Sequence, residues 1–166
     1  MFAFDNLAPK LLLSEILNAP VVETDSGPKL ASHGIYYNRV QLQGSLEGNT
    51  EQGYCVRDIT GFIPVALPPP QATEVEVFKR QQSTKSFPVI VIGQILETAP
   101  SPEEEAAALE QGAPVPTPER YIKVKKLIKL SRESNISEQW MLEVDELARH
   151  VYPQMAAALG TDSAAQ

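Results

Sequence analysis

Few side chains in this chain of 166 residues are of the types that commonly perform catalysis. Its one cysteine is Cys55, and its two histidines, His33 and His150, lie far apart. A single cysteine forms no intramolecular disulfide and no cysteine-based zinc site, and the histidines lack the spacing of metal ligands. Nucleophile-elbow, P-loop, GxGxxG and HExxH patterns are absent. The sequence therefore predicts a protein that is not an enzyme and needs no cofactor.

An acidic run, Glu103–Glu105, is the nearest approach to a pair of catalytic carboxylates. A carboxylate becomes a useful proton donor when apolar surroundings raise its pKa. This run instead lies in a segment rich in proline and glutamate, at 100–118, which is typical of a solvated insertion. We interpret the run as a solvent-facing surface.

Basic residues are concentrated between Arg120 and Arg132, although the formal net charge is −7. That net charge argues against an overall cationic nucleic-acid binder and leaves room for a local basic patch. Lys123, Lys125 and Lys129 could contact the phosphates of a single strand if aromatic side chains supplied stacking platforms. The aromatic candidates are Tyr36, Tyr37, Tyr54, Phe62 and Tyr121. The alternative is that the lysines form the polar face of a half-exposed strand.

Five segments have the β-branched content and alternation of strands. A polar connector separates the third segment from the fourth, and Gly44 interrupts the first, which predicts a bend or bulge there. Five strands in this order predict a mainly β fold, the five-stranded oligonucleotide/oligosaccharide-binding (OB) barrel, with a generic α+β sandwich as the alternative. The segments cover 35–46, 54–58, 62–66, 87–96 and 121–130, and the connector over 73–82 is either a short helix or irregular.

Helices are predicted at both ends of the barrel. Residues 9–18 form a short N-terminal helix with Asp5 or Asn6 as its cap, and 20–33 form a loop. The last helix covers about 138–152, and Pro153 should end or kink it because proline lacks an N–H donor. Four apolar residues share one stripe of this helix, which either packs on the protein's own barrel or binds a partner helix. They are Trp140, Val144, Leu147 and Val151.

The chain divides into an N-terminal helix and loop (1–33), an OB-fold domain with its C-terminal helix (34–152, including a flexible insertion at 100–118), and a flexible tail (153–166). It contains no run of 18 apolar residues and starts without a basic signal-peptide region. We therefore expect a cytosolic or nuclear protein.

The segment 140–147 reads Trp-Met-Leu-Glu-Val-Asp-Glu-Leu. It resembles the W-x-L-E-V-E-[DE]-L segment of the RecQ-mediated genome instability protein 2 family. Further similar segments occur in the same order along the chain. They are Pro9 to Leu17 (P-x-x-x-L-S-E-x-L), Gln43-Gly44, Arg57 to Gly61 (R-D-I-T-G), Val89 to Gly93 (V-I-V-I-G) and Lys126.

The resemblance implies a nuclear, non-catalytic OB-fold subunit of the Bloom helicase–topoisomerase III complex, which acts in DNA replication and repair. Such a subunit would pair with RecQ-mediated genome instability protein 1 through C-terminal helices and support double Holliday junction dissolution, with weak or no DNA binding. Trp140, Val144, Leu147 and Val151 would then face the partner, and Lys126 would lie at the rim or on a second docking surface. The alternative is an independent single-strand binder of the replication protein A or telomere type.

Overall fold

The computed structural model describes residues 8–98, 101–114, 119–130 and 136–164. The last two helices form one continuous helical segment, joined by a π-helical turn at Leu147–Val151. In chain order the elements are α1 (Leu13–Asn18), β1 (Val21–Thr24), β2 (Gly27–Ser32), β3 (Ile35–Tyr37), β4 (Arg39–Asn49), β5 (Gly53–Asp58), β6 (Gly61–Ala66), α2 (Pro69–Gln81), β7 (Phe87–Glu97), α3 (Pro102–Gln111), β8 (Arg120–Lys129), α4 (Ile136–Glu146) and α5 (Tyr152–Ala164).

Five strands close into a barrel in the order β4-β5-β6-β8-β7. All neighbours are antiparallel except β6 and β8, which pair in parallel at Val65–Ile122 and Ala66–Lys123. The predicted OB-fold is therefore confirmed, with α2 as the helical form of the connector between the third and fourth barrel strands. The barrel interior is filled by alternating apolar side chains, among them Val40, Leu42, Leu46, Val56, Ile63, Val89, Val91, Ile122 and Val124.

Gly44 is the point at which β4 bends around the barrel. The strand pairs with β7 through Leu46 and with β5 from Ser45 onward, so it changes partner here. A Cβ at position 44 would lie 2.4 Å from the backbone oxygen of Arg57 and 2.7 Å from Cγ1 of Val56. Only glycine fits, because the backbone of β5 approaches closely here.

A β-bulge in β8 changes which of its residues point toward the barrel interior. Gly93 pairs with Val124 while Ile92 pairs with Lys126, so Lys125 is an extra residue and the alternation reverses beyond it. Leu127 packs against the core, whereas Ile128 is exposed. A strand with unbroken alternation would place Ile128 on the inward side with Ile122 and Val124, and the bulge turns it outward.

Helix α1 begins at Leu13, four residues later than predicted. The chain before it extends along β4, where the N–H of Leu11 donates to the oxygen of Gln41 (3.3 Å). The β5–β6 loop caps the helix, because Asp58 Oδ2 accepts from the N–H of Leu13 at 2.9 Å. Thr60 Oγ1 accepts from the next N–H at 3.0 Å. These acceptors satisfy donors that a helix start leaves unpaired, and the predicted caps Asp5 and Asn6 lie outside the described residues.

Residues predicted as a loop at 20–33 instead form most of a three-stranded sheet, β1-β2-β3. His33 and Gly34 both have positive φ, 52° and 80°, which is the geometry of a tight hairpin turn. Pro28 pairs with Glu23 on β1 and lies outside the stretch of β2 that pairs with β3, so its missing N–H costs little. The loop prediction was wrong because short strands containing proline lack a clear alternation.

The C-terminal helix continues past Pro153 instead of ending there. The N–H of Tyr152 donates to the oxygen of Leu147, five residues back, in the π turn. Such a turn redistributes the backbone hydrogen bonds next to a proline, so the helical segment continues to Ala164. Among the described residues, no helix combines the length and the apolar character that crossing a membrane requires.

Candidate functional site

The outer surface of the barrel holds the residues that remain available for binding. The described residues contain no cluster of histidine, cysteine and carboxylate side chains suited to a metal ion. Cys55 is half-buried on β5, and burial raises the pKa of its thiol, which makes it a poorer nucleophile. Apolar, aromatic and basic surfaces are therefore the candidate binding sites.

The first surface is a row of isoleucines on the outer side of β7 and β8, here called the isoleucine face: Ile90, Ile92, Lys126 and Ile128. Ile90 lies opposite Ile128, and Ile92 lies opposite Lys126. Ile128 is 36% exposed, and Ile90 and Ile92 are half-buried. The pairing places a lysine among outward-facing apolar side chains, a combination that a closed barrel does not need for its own core.

Helix α4 packs beside this face, across β4. Gln43, which pairs with Ile90, is only 5% exposed although it is polar. Trp140 is 5% exposed and Val144 is 2% exposed, Leu147 packs against the core, and Val151 is 39% exposed. The first three of the four predicted stripe residues thus contact their own chain, and their partner-facing role stays a prediction.

Lys10 joins the N-terminal strand segment to both halves of the C-terminal helical segment. Its Nζ lies 3.2 Å from Oε2 of Glu143 and 5.4 Å from the centre of the Trp140 ring. Its backbone N–H donates to the hydroxyl of Tyr152 at 2.9 Å, and that hydroxyl donates to its carbonyl oxygen at 3.0 Å. Tyr152 therefore anchors α5, while the Lys10 side chain contacts α4.

Replacing Tyr152 by phenylalanine should lower the free energy of unfolding by about 1–2 kcal/mol at neutral pH. The backbone N–H and the carbonyl oxygen of Lys10 both lose their hydrogen bond to the Tyr152 hydroxyl. Burial raises the pKa of the Tyr152 phenol to about 12 from 10.0. The stability gained from the neutral phenol is fully present below about pH 10 and is lost as pH rises toward 12. Between neutral pH and about pH 11, urea unfolding should show a smaller loss of stability in Tyr152→Phe than in the parent protein. An equal loss in both proteins would contradict the assignment.

A groove of about 590 Å³ opens between the start of α4, the β5–β6 hairpin and the segment before β7. Apolar side chains from four parts of the chain line it, together with Gly44. The apolar lining residues are Leu12, Ile59, Pro88, Trp140 and Met141. This groove lies at the same edge of the barrel as the isoleucine face, since Pro88 precedes Ile90 on β7.

The second surface, here called the Phe62 face, lies on the outer side of the β5–β6 hairpin. Phe62 is 52% exposed and lies opposite Arg57 on the neighbouring strand. The guanidinium carbon of Arg57 lies 5.0 Å from the centre of the Phe62 ring. An exposed ring beside a cation can stack on a base, as single-strand binders do.

The predicted basic residues do not form one patch. Lys123 pairs with Ala66 on the strand that carries Phe62, and Lys125 is exposed at the bulge. Lys129 lies near the other end of β8, with its Nζ 4.8 Å from the centre of the Phe78 ring on α2. Arg120 donates to the carbonyl oxygen of Ile16 at 2.6 Å and so caps the end of α1. The sequence shows these basic residues, but the direction in which each side chain points depends on the fold.

The aromatic candidates are also separated. Tyr37 and Tyr54 are buried, and Tyr54 donates to Glu76 Oε1 at 2.5 Å. Burial, followed by this hydrogen bond, raises the pKa of Tyr54, and the bond lowers the pKa of Glu76. Tyr36 is 45% exposed, but it lies on β3, outside the barrel. Among the five candidates only Phe62 is both exposed and on a barrel strand beside Lys123.

Comparisons with known proteins agree with the architecture. No protein-family model matches the chain, and a search of curated proteins finds no match. A chain from the structure of a replication protein A heterotrimer bound to single-stranded DNA has a TM-score of 0.56 at 16% identity, covering 85% of this chain and 94% of that one. A chain from the S. pombe Stn1–Ten1 complex has a TM-score of 0.54 at 12% identity, covering 93% and 97%. At these identities the likeness shows the fold alone.

Proposed function

We propose that this chain is a non-catalytic OB-fold subunit that assembles with a larger OB-fold partner. The observation that carries the proposal is the isoleucine face. A closed barrel buries its core inside, so outward-facing isoleucines contribute little to folding. Grouped apolar residues on a surface are typical of a binding interface. Lys126 in their midst supplies a charge that an acidic group on the partner can pair with.

The partner would also contact α4. The row Gln43–Ile90–Ile128 crosses three adjacent strands spaced by about 4.8 Å, and α4 packs on the first of them. On α4 itself, Leu142 is 71% exposed and Met141 is 37% exposed. The helix and the isoleucine face thus form neighbouring parts of one surface. Both similar solved structures come from assemblies of more than one protein, which supports the proposal.

The finer form of the proposal names the assembly. The resemblance of residues 140–147, together with the collinear segments before them, supports a complex of a RecQ helicase and topoisomerase III in the nucleus. The partner would be an OB-fold subunit of the RecQ-mediated genome instability protein 1 type. The chain would stabilise that complex during double Holliday junction dissolution. A net charge of −7 is consistent with a subunit that binds protein more strongly than DNA.

Purification of the tagged full chain from its source cells, followed by mass spectrometry, tests this assignment. We expect one larger OB-fold protein in comparable amount, together with a RecQ helicase and topoisomerase III. Recovery of the OB-fold partner without the two enzymes would overturn the finer proposal only. Recovery of the chain alone would overturn both.

The Phe62 face favours a second candidate function, which is direct binding of single-stranded nucleic acid. OB-folds that bind oligonucleotides do so across the outer side of the second and third barrel strands, and β5 and β6 are those strands here. Phe62 would stack on a base, with Arg57 and Lys123 near the phosphates. The acidic side chains of Glu97 and Glu119, which line a pocket with Phe62, oppose this role.

Fluorescence anisotropy with a labelled oligonucleotide separates the two functions. We expect the isolated chain to bind more weakly than micromolar at physiological salt, and Phe62→Ala to change this little. The second candidate instead requires micromolar or tighter binding that falls steeply with salt, and a loss of about tenfold or more in Phe62→Ala. Tyr36→Ala is the matched control, because Tyr36 is similarly exposed but lies on the other sheet.

A further inference from the structure

Trp140 is buried with an unsatisfied donor. Its side chain is 5% exposed, and its indole Nε1 has no hydrogen-bond partner within the described part of the chain. A buried N–H that has lost water without gaining an acceptor is unfavourable. Packing of α4 against the barrel is therefore weaker than the burial of Trp140 alone would indicate.

Trp140 and Val144 are also separate from the main core. The continuous cluster of buried side chains that fills the barrel extends to Tyr152, but it includes neither Trp140 nor Val144. Beyond the π turn the helix is held closely. Tyr152 makes its two hydrogen bonds with Lys10, and a Cβ on Gly34 would lie 2.7 Å from Cβ of Ala156. The two halves of the helical segment are thus held to the barrel unequally.

The contacts that hold α4 are partly solvent-exposed. The side chains of Lys10 and Glu143, which form the ion pair, are 34% and 43% exposed. An exposed ion pair contributes little because water screens it. The approach of Lys10 to the Trp140 ring adds a weak cation–π contact.

The π turn at Leu147–Val151 lies between the two halves. Its hydrogen bond runs from the N–H of Tyr152 to the oxygen of Leu147, five residues back. Pro153 follows Tyr152 and has no backbone N–H to donate. Isolated π turns often mark functional sites, and helices kink at such turns and at proline. Leu147 and Ala148 still pack against the core, so the helix can separate only on the N-terminal side of Leu147.

We propose that α4 releases from the barrel as a unit, at the start of the π turn, while α5 stays bound. Release uncovers Trp140 and Val144 on the helix and Gln43 on β4, next to the isoleucine face. This inference rests on the function proposed above, in which the larger OB-fold partner binds the uncovered surface. Trp140 is then buried against its own barrel in the free chain and contacts the partner in the complex.

The single tryptophan makes the release measurable in the full chain without any partner. Urea unfolding is followed by Trp140 fluorescence and by far-ultraviolet circular dichroism. We expect the fluorescence transition at a lower urea concentration than the circular-dichroism transition, because α4 leaves before the barrel unfolds. Coincident transitions would overturn the proposal.

Glu143→Ala removes the ion pair on the contact face of α4. It should raise the equilibrium constant for release about threefold to fivefold, which moves the fluorescence midpoint and leaves the circular-dichroism midpoint in place. Glu146→Ala, an exposed acidic position on the same helix, is the matched control and should move neither. If Glu143→Ala moves both midpoints together or neither, α4 is not an independent unit. Because no partner is present, failure here is distinct from failure of co-purification.

Discussion

Replacing Gly44 by alanine is expected to lower the free energy of unfolding by about 3 kcal/mol. The added Cβ would lie 2.4 Å from the backbone oxygen of Arg57 and 2.9 Å from its carbonyl carbon. Both atoms belong to β5, which is paired with β4 at Ser45, so neither can move away without breaking the barrel. Urea unfolding followed by circular dichroism measures the loss.

Gly61→Ala is the matched control for this prediction. A Cβ there would lie 3.5 Å from Cδ1 of Leu17, an ordinary contact. We expect a change within about 1 kcal/mol, because the folded backbone accepts a side chain and alanine reduces the freedom of the unfolded chain. Equal losses at positions 44 and 61 would mean that the bend in β4 does not depend on Gly44.

The barrel could be predicted because its signals are local. Alternation on β4, the Asp58–Gly61 hairpin and the apolar run on β7 each fix a strand without reference to the rest of the chain. The strands at 21–24 and 27–32 could not, since short strands that contain Gly27 and Pro28 show too little alternation. Residues 35–37 were predicted as the start of the first barrel strand, but they pair with β2 instead. The helix through Pro153 was missed because the π turn that accommodates it leaves no pattern in the sequence.

The facing of β8 depends on its neighbour. Its run of lysines and apolar residues fits two alternations, and the sequence alone favoured the one without a bulge. Gly93 on β7 shows why the structure differs, since a Cβ there would lie 2.4 Å from the backbone oxygen of Lys123. This close approach accompanies the register shift that turns Ile128 outward. The isoleucine face was therefore hidden from the sequence.

Replacing Ile128 by aspartate is expected to weaken binding of the partner at least about 100-fold. Ile128 lies opposite Ile90 in the centre of the proposed interface, and an unpaired carboxylate there would be desolvated on assembly. Loss of a contact at the centre of an interface costs about 2–4 kcal/mol, and about 3 kcal/mol corresponds to a change of this size. Calorimetry with the partner identified by co-purification measures the change in affinity.

Val77→Asp is the control for a new surface charge. Val77 is 45% exposed on α2 and is not a member of the isoleucine face, so its replacement should leave the affinity within about threefold. Both variants should keep the circular-dichroism spectrum of the parent, because both positions are exposed. An unchanged affinity in Ile128→Asp, with the fold intact, would exclude the isoleucine face from the interface.

The candidate site was only partly predictable. Helical spacing correctly placed Trp140, Val144 and Leu147 on one stripe, but only the structure shows that they pack on their own barrel. The sequence shows an aromatic residue at Phe62 and a cation at Arg57, whereas their pairing depends on the register of β5 and β6. The spacing of charges along a strand cannot show that Arg120 contacts the end of α1.

Native mass spectrometry of the complex purified through this chain is the sharpest test of the proposed subunit role. We expect one copy of this chain bound to one larger OB-fold protein, in a complex that persists without nucleic acid. A chain that is recovered as a monomer or homo-oligomer, or that holds its partner only when single-stranded DNA is present, would contradict it.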